Sequence, residues 1–250
     1  MKYKRKTVVF FLSILLLGGT NMNAAAFLGF GNSAIWKEEV LLHDGTKIVV
    51  ERWQSHGGRH EIGQPLPIKD HSITFTLPGR GKNIVWEDKY SKDLGGANFI
   101  ILALHIKGDI PYVIATPTAC QEYNKWGRPN PPYVIFKFDG KEWQRIALAN
   151  LPLEFKEINL VIDTYNDEKK LLTEGLVSAE KVKKFNSRFL KYPHVDPVFM
   201  SIVREPLETG KNSASNVDCE VLIQYKCKGV HMGWAASGEF NRKYFEKMCK

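Results

Sequence analysis

Four times between residues 36 and 148, two apolar or β-branched runs flank a short glycine-bearing turn. Trp36 to Leu42 and Lys47 to Gln54 flank His43-Asp44-Gly45-Thr46, and His71 to Leu77 and Lys82 to Glu87 flank Pro78-Gly79-Arg80-Gly81. Phe99 to Ile106 and Pro111 to Thr116 flank Lys107-Gly108-Asp109, and Tyr133 to Phe138 and Lys141 to Leu148 flank Asp139-Gly140. Asp and Gly tolerate the positive φ of tight hairpin turns, so each unit predicts two antiparallel strands. Ser72 to Leu77 alternates hydroxyl and apolar residues, as a strand with one buried face does. Phe99 to Ile106 is apolar on both faces and predicts a central, covered strand. The units begin 28 to 35 residues apart, and Asp139-Gly140-Lys141-Glu142-Trp143 resembles a propeller-blade turn. Eight strands fill only two four-stranded blades, too few for a closed propeller. The expected fold is mainly β: an antiparallel hairpin meander, as a sandwich or as propeller-like sheets, followed by a C-terminal α/β portion.

Ahead of the hairpins stands an export signal. Lys2, Lys4, Arg5 and Lys6 are followed by a short apolar run to Leu17, then Gly18-Gly19 and Ala24-Ala25-Ala26. A basic start, a short apolar middle and a small-residue cleavage site identify a secretory signal over residues 1–26. The run is shorter than the roughly 20 residues a membrane span needs, and no cysteine stands near the cleavage site to carry a lipid. The expected location is the periplasm or the secreted fraction, with no stable membrane anchor after cleavage. Removal of the signal takes four bases and no acids. The +8 of the whole chain becomes 31 bases against 27 acids, near +4. That is too mild for a nucleic-acid footprint. With 44% hydrophobic and 25% charged residues, the chain has ordinary globular composition.

The reading divides the rest into an antiparallel β region, 27–164, and a mixed α/β region, 165–250, packed on it by a disulfide. Ser178 caps a helix to about Lys191, with Val182, Phe185 and Phe189 on one stripe. Its basic residues read as a solvated face. A last helix is expected over Ser237–Met248. Four cysteines, Cys120, Cys219, Cys227 and Cys249, follow an export signal, which favours two disulfides. If Glu220–Lys226 is a strand, Cys219 and Cys227 lie roughly 26 Å apart, far beyond bridging range. One then pairs with Cys120 and the other with Cys249; if the two instead flank a turn, they pair directly.

There is no G-x-S-x-G, Walker loop, G-x-G-x-x-G or EF-hand loop, and no cofactor is expected. His60-Glu61-Ile62-Gly63-Gln64 opens like the H-E-x-x-H zinc helix but has Gln64 at the second histidine. Flanking glycines disfavour a helix, which leaves His56, His60 and Glu61 as loop candidates for metal and Arg59 for an anion. The plainer reading is an exposed polar loop. The long segment Pro117–Pro132 carries Tyr123, Trp126 and Arg128, residue types that dominate binding hot spots. The alternative is a loop pinned by Cys120 that packs Trp126 over one end of the sheet. Glu38/Glu39 and Glu87/Asp88 offer no acid–base dyad, because strand neighbours face opposite ways.

The phrases EVLLHDGTKIVVER, GGRHEIGQPLPIK, HSITFTLPG and NKWGRPNPPYVIFKFDGKEWQRI, between Trp36 and about Asp163, resemble a family of exported proteobacterial proteins of unassigned function. At the level of class the chain is also similar to periplasmic immunity proteins of contact-dependent toxin systems. Those are small, exported, disulfide-bearing β proteins that neutralise a toxin by binding it. The expectation is therefore a non-catalytic binding protein whose partner is another protein of the cell envelope, toxin neutralisation being one form. The alternative is an envelope hydrolase or glycan-binding protein using the His56/His60/Glu61 loop.

Overall fold

Alternation along the first strand sets the fold. In β1 (Ser33–Leu41), Ala34, Trp36, Glu38 and Val40 are buried while Ser33, Ile35 and Lys37 face out. A computed structural model of the chain describes residues 32–60, 62–77, 79, 81–188 and 197–207. The first turn closes as its sequence requires: Asp44 Oδ1 accepts from the Thr46 amide at 2.9 Å, and Gly45 takes φ +86°. β2 (Lys47–His56) then pairs antiparallel with β1, followed by β3 (Ile68–Thr76) and β4 (Asn83–Asp88), in the order β1-β2-β3-β4. β5 (Phe99–Lys107), β6 (Ile110–Pro117), β7 (Val134–Phe138) and β8 (Trp143–Ile146) repeat the pattern as a second antiparallel meander. All four expected hairpins are present, and the protein is mainly β.

The two sheets share one apolar core. Val50, Ile73, Phe75 and Trp86 come from the first sheet, and Phe99, Ile101, Leu104, Val113 and Val134 from the second. The opposite face of the second sheet carries another core, in which Leu102, Ile114 and Ile135 meet Leu151, Phe155, Ile158, Val198 and Ile202. β5 is thus covered on both faces, as its composition predicts, but its central position is corrected: it stands at the sheet edge. The following chain closes that edge. Asn159 Oδ1 accepts from the Leu104 amide at 2.9 Å, its Nδ2 donates to the Leu104 carbonyl at 2.8 Å, and the Leu160 amide donates to the Leu102 carbonyl at 3.3 Å. One side-chain amide replaces a missing strand.

There are three α-helices among the described residues. α1 (Cys120–Lys125) lies within the long 117–132 segment, expected only as a loop. α2 (Thr164–Thr173) begins at Asp163, whose carboxylate accepts from the Asn166 amide. α3 (Ala179–Asn186) starts at Ser178 as predicted, with the hydroxyl accepting from the Lys181 amide. Leu171 and Val182 pack with Trp36, Val161 and Val177. None of these helices is long and apolar enough to cross a membrane. Cys120 opens α1. The other three cysteines, the signal segment, the expected strand Glu220–Lys226 and the helix Ser237–Met248 lie outside the described residues.

Candidate ligand cleft

The long segment turns Trp126 and Arg128 to contacts within the fold. Trp126 closes the shared core: its ring centroid lies 4.7 Å from Phe99, and its Nε1 donates to Asn98 Oδ1 at 3.2 Å. Arg145 stacks 5.6 Å from that ring and donates to the Trp126 carbonyl at 2.8 Å. Arg128 has φ +52° and donates through Nε to Asn124 Oδ1 at 2.6 Å. Tyr123 is half-buried on α1, its amide donating to the Ala119 carbonyl. The geometry matches the loop that packs Trp126 over the end of the sheet.

The histidine loop is also redistributed. His56 Nε2 meets Glu168 Oε2 on α2 at 2.5 Å, and Gln54 Nε2 reaches the same oxygen at 2.5 Å. His60 is exposed, with Nδ1 3.2 Å from the Gly58 carbonyl oxygen. Glu61 lies outside the described residues. The two histidines thus take different partners, and no cluster of three or more His, Cys, Asp or Glu fit to hold a metal occurs among the described residues.

Arg59 is the exception, because it borders a cavity of about 600 Å³. This cleft is walled by β2 and β3, by Arg59, Gln64, Pro65 and Pro67 of the following loop, by the 94–97 loop, the start of β5, α1 and the entry to α2. Its surface is mostly apolar, with Pro65, Pro67, Ile68, Leu94, Phe99, Ile100, Ile101, Tyr165 and Phe199 contributing. Two glycines let the loops cross. A Cβ on Gly58 would stand 2.1 Å from the Gly95 carbonyl oxygen, and one on Gly95 would stand 2.6 Å from Arg59 Cβ. Both have positive φ, and the Arg59 amide donates to the Gly95 carbonyl at 2.8 Å. That backbone contact fixes where Arg59 leaves the loop.

Most of the deeper polar groups are paired with one another, but Glu122 Oε2 is buried without a hydrogen-bond partner among the described residues. His71 Nε2 donates to Asp88 Oδ2 at 3.0 Å. Asp88 also accepts from the Asn98 and Phe99 amides at 2.7 and 2.8 Å, and from Asn98 Nδ2 at 2.7 Å. Arg52 Nη1 donates to Glu38 Oε1 at 3.2 Å and to the Val161 carbonyl at 3.0 Å, its guanidinium 5.3 Å from the Trp36 ring. Burial pulls Arg52 below its usual range, and Glu38 opposes that shift. Glu38 also accepts from Trp36 Nε1 at 2.6 Å and the Val161 amide at 2.9 Å. Asp163 is paired with Arg188 at 2.7 Å. Glu122 is buried, and burial raises its carboxyl above the usual range; the nearby Asp88 charge adds to the rise, while its own and the Ala119 amides oppose it. Arg59, by contrast, has no ion-pair partner among the described residues.

The sequence did not disclose Arg52, His71 and Glu122 as cleft residues, nor Glu38 as the partner of Arg52. A signal existed for three of them. Glu38, Arg52 and His71 occupy the apolar phase of alternating strands, beside Val40, Val50 and Ile73. A charge or imidazole in that phase must be paired internally. Nothing local marks Glu122. No protein-family model, curated protein or solved structure matches this chain.

Proposed function

We propose that this chain is an exported, non-catalytic binding protein of the cell envelope, and that its ligand occupies the cleft between the sheets. One observation carries the reading. A mostly apolar cavity of about 600 Å³ is lined by few polar groups, of which Arg52, His71 and Asp163 are paired within the wall. Concave apolar sites with few convergent polar groups are the usual form of ligand pockets. His71 is held by Asp88 and Arg52 by Glu38, so the polar groups of the wall are fixed in place around the apolar cavity. The signal-like residues 1–26 support export. The resemblance to exported immunity proteins agrees with a binding role, but Trp126 serves the core, which moves the proposed contact from the Tyr123/Trp126/Arg128 loop to the cleft.

Filling the cavity tests this. Leu94 is a half-buried loop residue on the cleft wall, so Leu94→Trp narrows the cavity without removing a core side chain. Wild-type protein recovered from its native envelope should carry a bound molecule seen by native mass spectrometry. Leu94→Trp, shown to be folded by circular dichroism, should carry none. Equal retention by both proteins would place the contact elsewhere.

A further inference from the structure

We infer that the cleft binds a free amphipathic monoanion of the fatty-acid class, with its apolar chain between the sheets and its carboxylate at Arg59. The inference rests on the cleft being the binding site and adds the chemistry of the ligand. Charge balance carries it. Three charged groups of the wall have partners: Arg52 with Glu38, His71 with Asp88, and Asp163 with Arg188. Glu122 is desolvated, which favours its neutral form. Among the described residues of the wall, what remains is one cation, exposed Arg59, beside a mostly apolar cavity. A ligand with a cationic head would meet that charge unfavourably. A neutral ligand would leave it without a counter-ion. A chain ending in a carboxylate buries its apolar surface and offers the guanidinium its preferred planar partner.

The position of Arg59 is built into the fold. Its amide is tied to the Gly95 carbonyl, and Gly58 and Gly95 permit a backbone approach that a Cβ at either position would block. The cation is therefore delivered to the cleft by the loop crossing. The cavity, about 600 Å³, has room for a medium-length acyl chain.

Calorimetric titration with octanoate, 1-octanol and octylamine at neutral pH and low salt separates head group from chain. Octanoate should bind roughly fivefold more tightly than 1-octanol, the range of an exposed ion pair, and octylamine most weakly. Arg59→Gln should abolish that preference, and high salt should abolish it in the wild type. Leu94→Trp should weaken all three probes. Equal affinity for octanoate and 1-octanol, or a preference that survives Arg59→Gln, overturns the anion assignment while leaving the cleft as a binding site. No binding of any probe, or binding indifferent to Leu94→Trp, overturns the cleft reading itself. Binding to phosphatidylglycerol vesicles that octanoate does not compete away overturns the assignment to a free acid.

Discussion

His105 is fully buried on β5, with its ring stacked 4.6 Å from Phe155 and its Nε2–H donating to the Glu157 carbonyl at 3.0 Å. Burial lowers its pKa from 6.5 to about 4; the Glu157 carbonyl opposes the shift and the neighbouring His43 adds to it. The unfolded chain therefore takes up this proton below about pH 6.5, but the folded protein only below about pH 4. Stability from the neutral buried ring is fully present above pH 6.5 and is lost as pH falls through that window. A shift of this size corresponds to roughly 3 kcal/mol. Urea melts from pH 7.5 to 4 should show the fall, and His105→Gln should flatten it. An unchanged slope in the variant would assign the acid sensitivity to other groups. Nothing in Phe99–Ile106 beyond its unbroken apolar character foretold this, because the depth of His105 depends on Phe155, fifty residues on.

At the scale of elements, the edge of β5 depends on one side chain. Asn159 meets both the amide and the carbonyl of Leu104 and also donates to the Leu41 carbonyl at 3.0 Å, so it ties the edge to the end of β1. Asn159→Leu keeps the volume but strands those groups, which should cost about 3 kcal/mol in denaturant melts. Amide exchange at Leu104 should accelerate in the same variant; protection as slow as in the wild type would show that water or backbone replaces the side chain. Strands and helices differ in how far the sequence disclosed them. The hairpins were legible because turn chemistry and period-two alternation are local. α3 was legible from its Ser178 cap and its apolar stripe. α2 was not, because Thr164–Thr173 is largely polar and of its apolar residues only Leu171 is fully buried. α1 was hidden for a related reason: a helix of six residues has too little periodicity to show.

Across the whole β body, the two meanders are halves of one core. Trp86 of the first sheet lies 5.5 Å from Phe136 and 6.2 Å from Phe99 of the second, ring centroid to ring centroid. A large-to-small change there empties both sides at once, so Trp86→Ala should cost about 3–5 kcal/mol. It should also loosen both sheets together, with exchange accelerating in β6 as much as in β3. If β6 kept its protection while β3 opened, the sheets would be independent units. The same arrangement explains the candidate cleft. Arg59, Gln64, Pro65 and Pro67, the 94–97 loop, α1 and the entry to α2 surround a space that the strands alone do not fill.

By itself the sequence determined the four hairpins and the alternation of Ser72–Leu77, since turns and alternation depend only on neighbours in the chain. It also placed Ser178 at a helix start and raised Arg59 as an anion contact. Tertiary structure alone decided that the two meanders close on a common core, that β5 is an edge sealed by Asn159, and that Trp126 packs, partly buried, against that core. It also brought Arg52, His71, Glu122 and Arg59 to one cleft. Those outcomes depend on contacts between residues far apart in the chain, whose geometry no local pattern encodes.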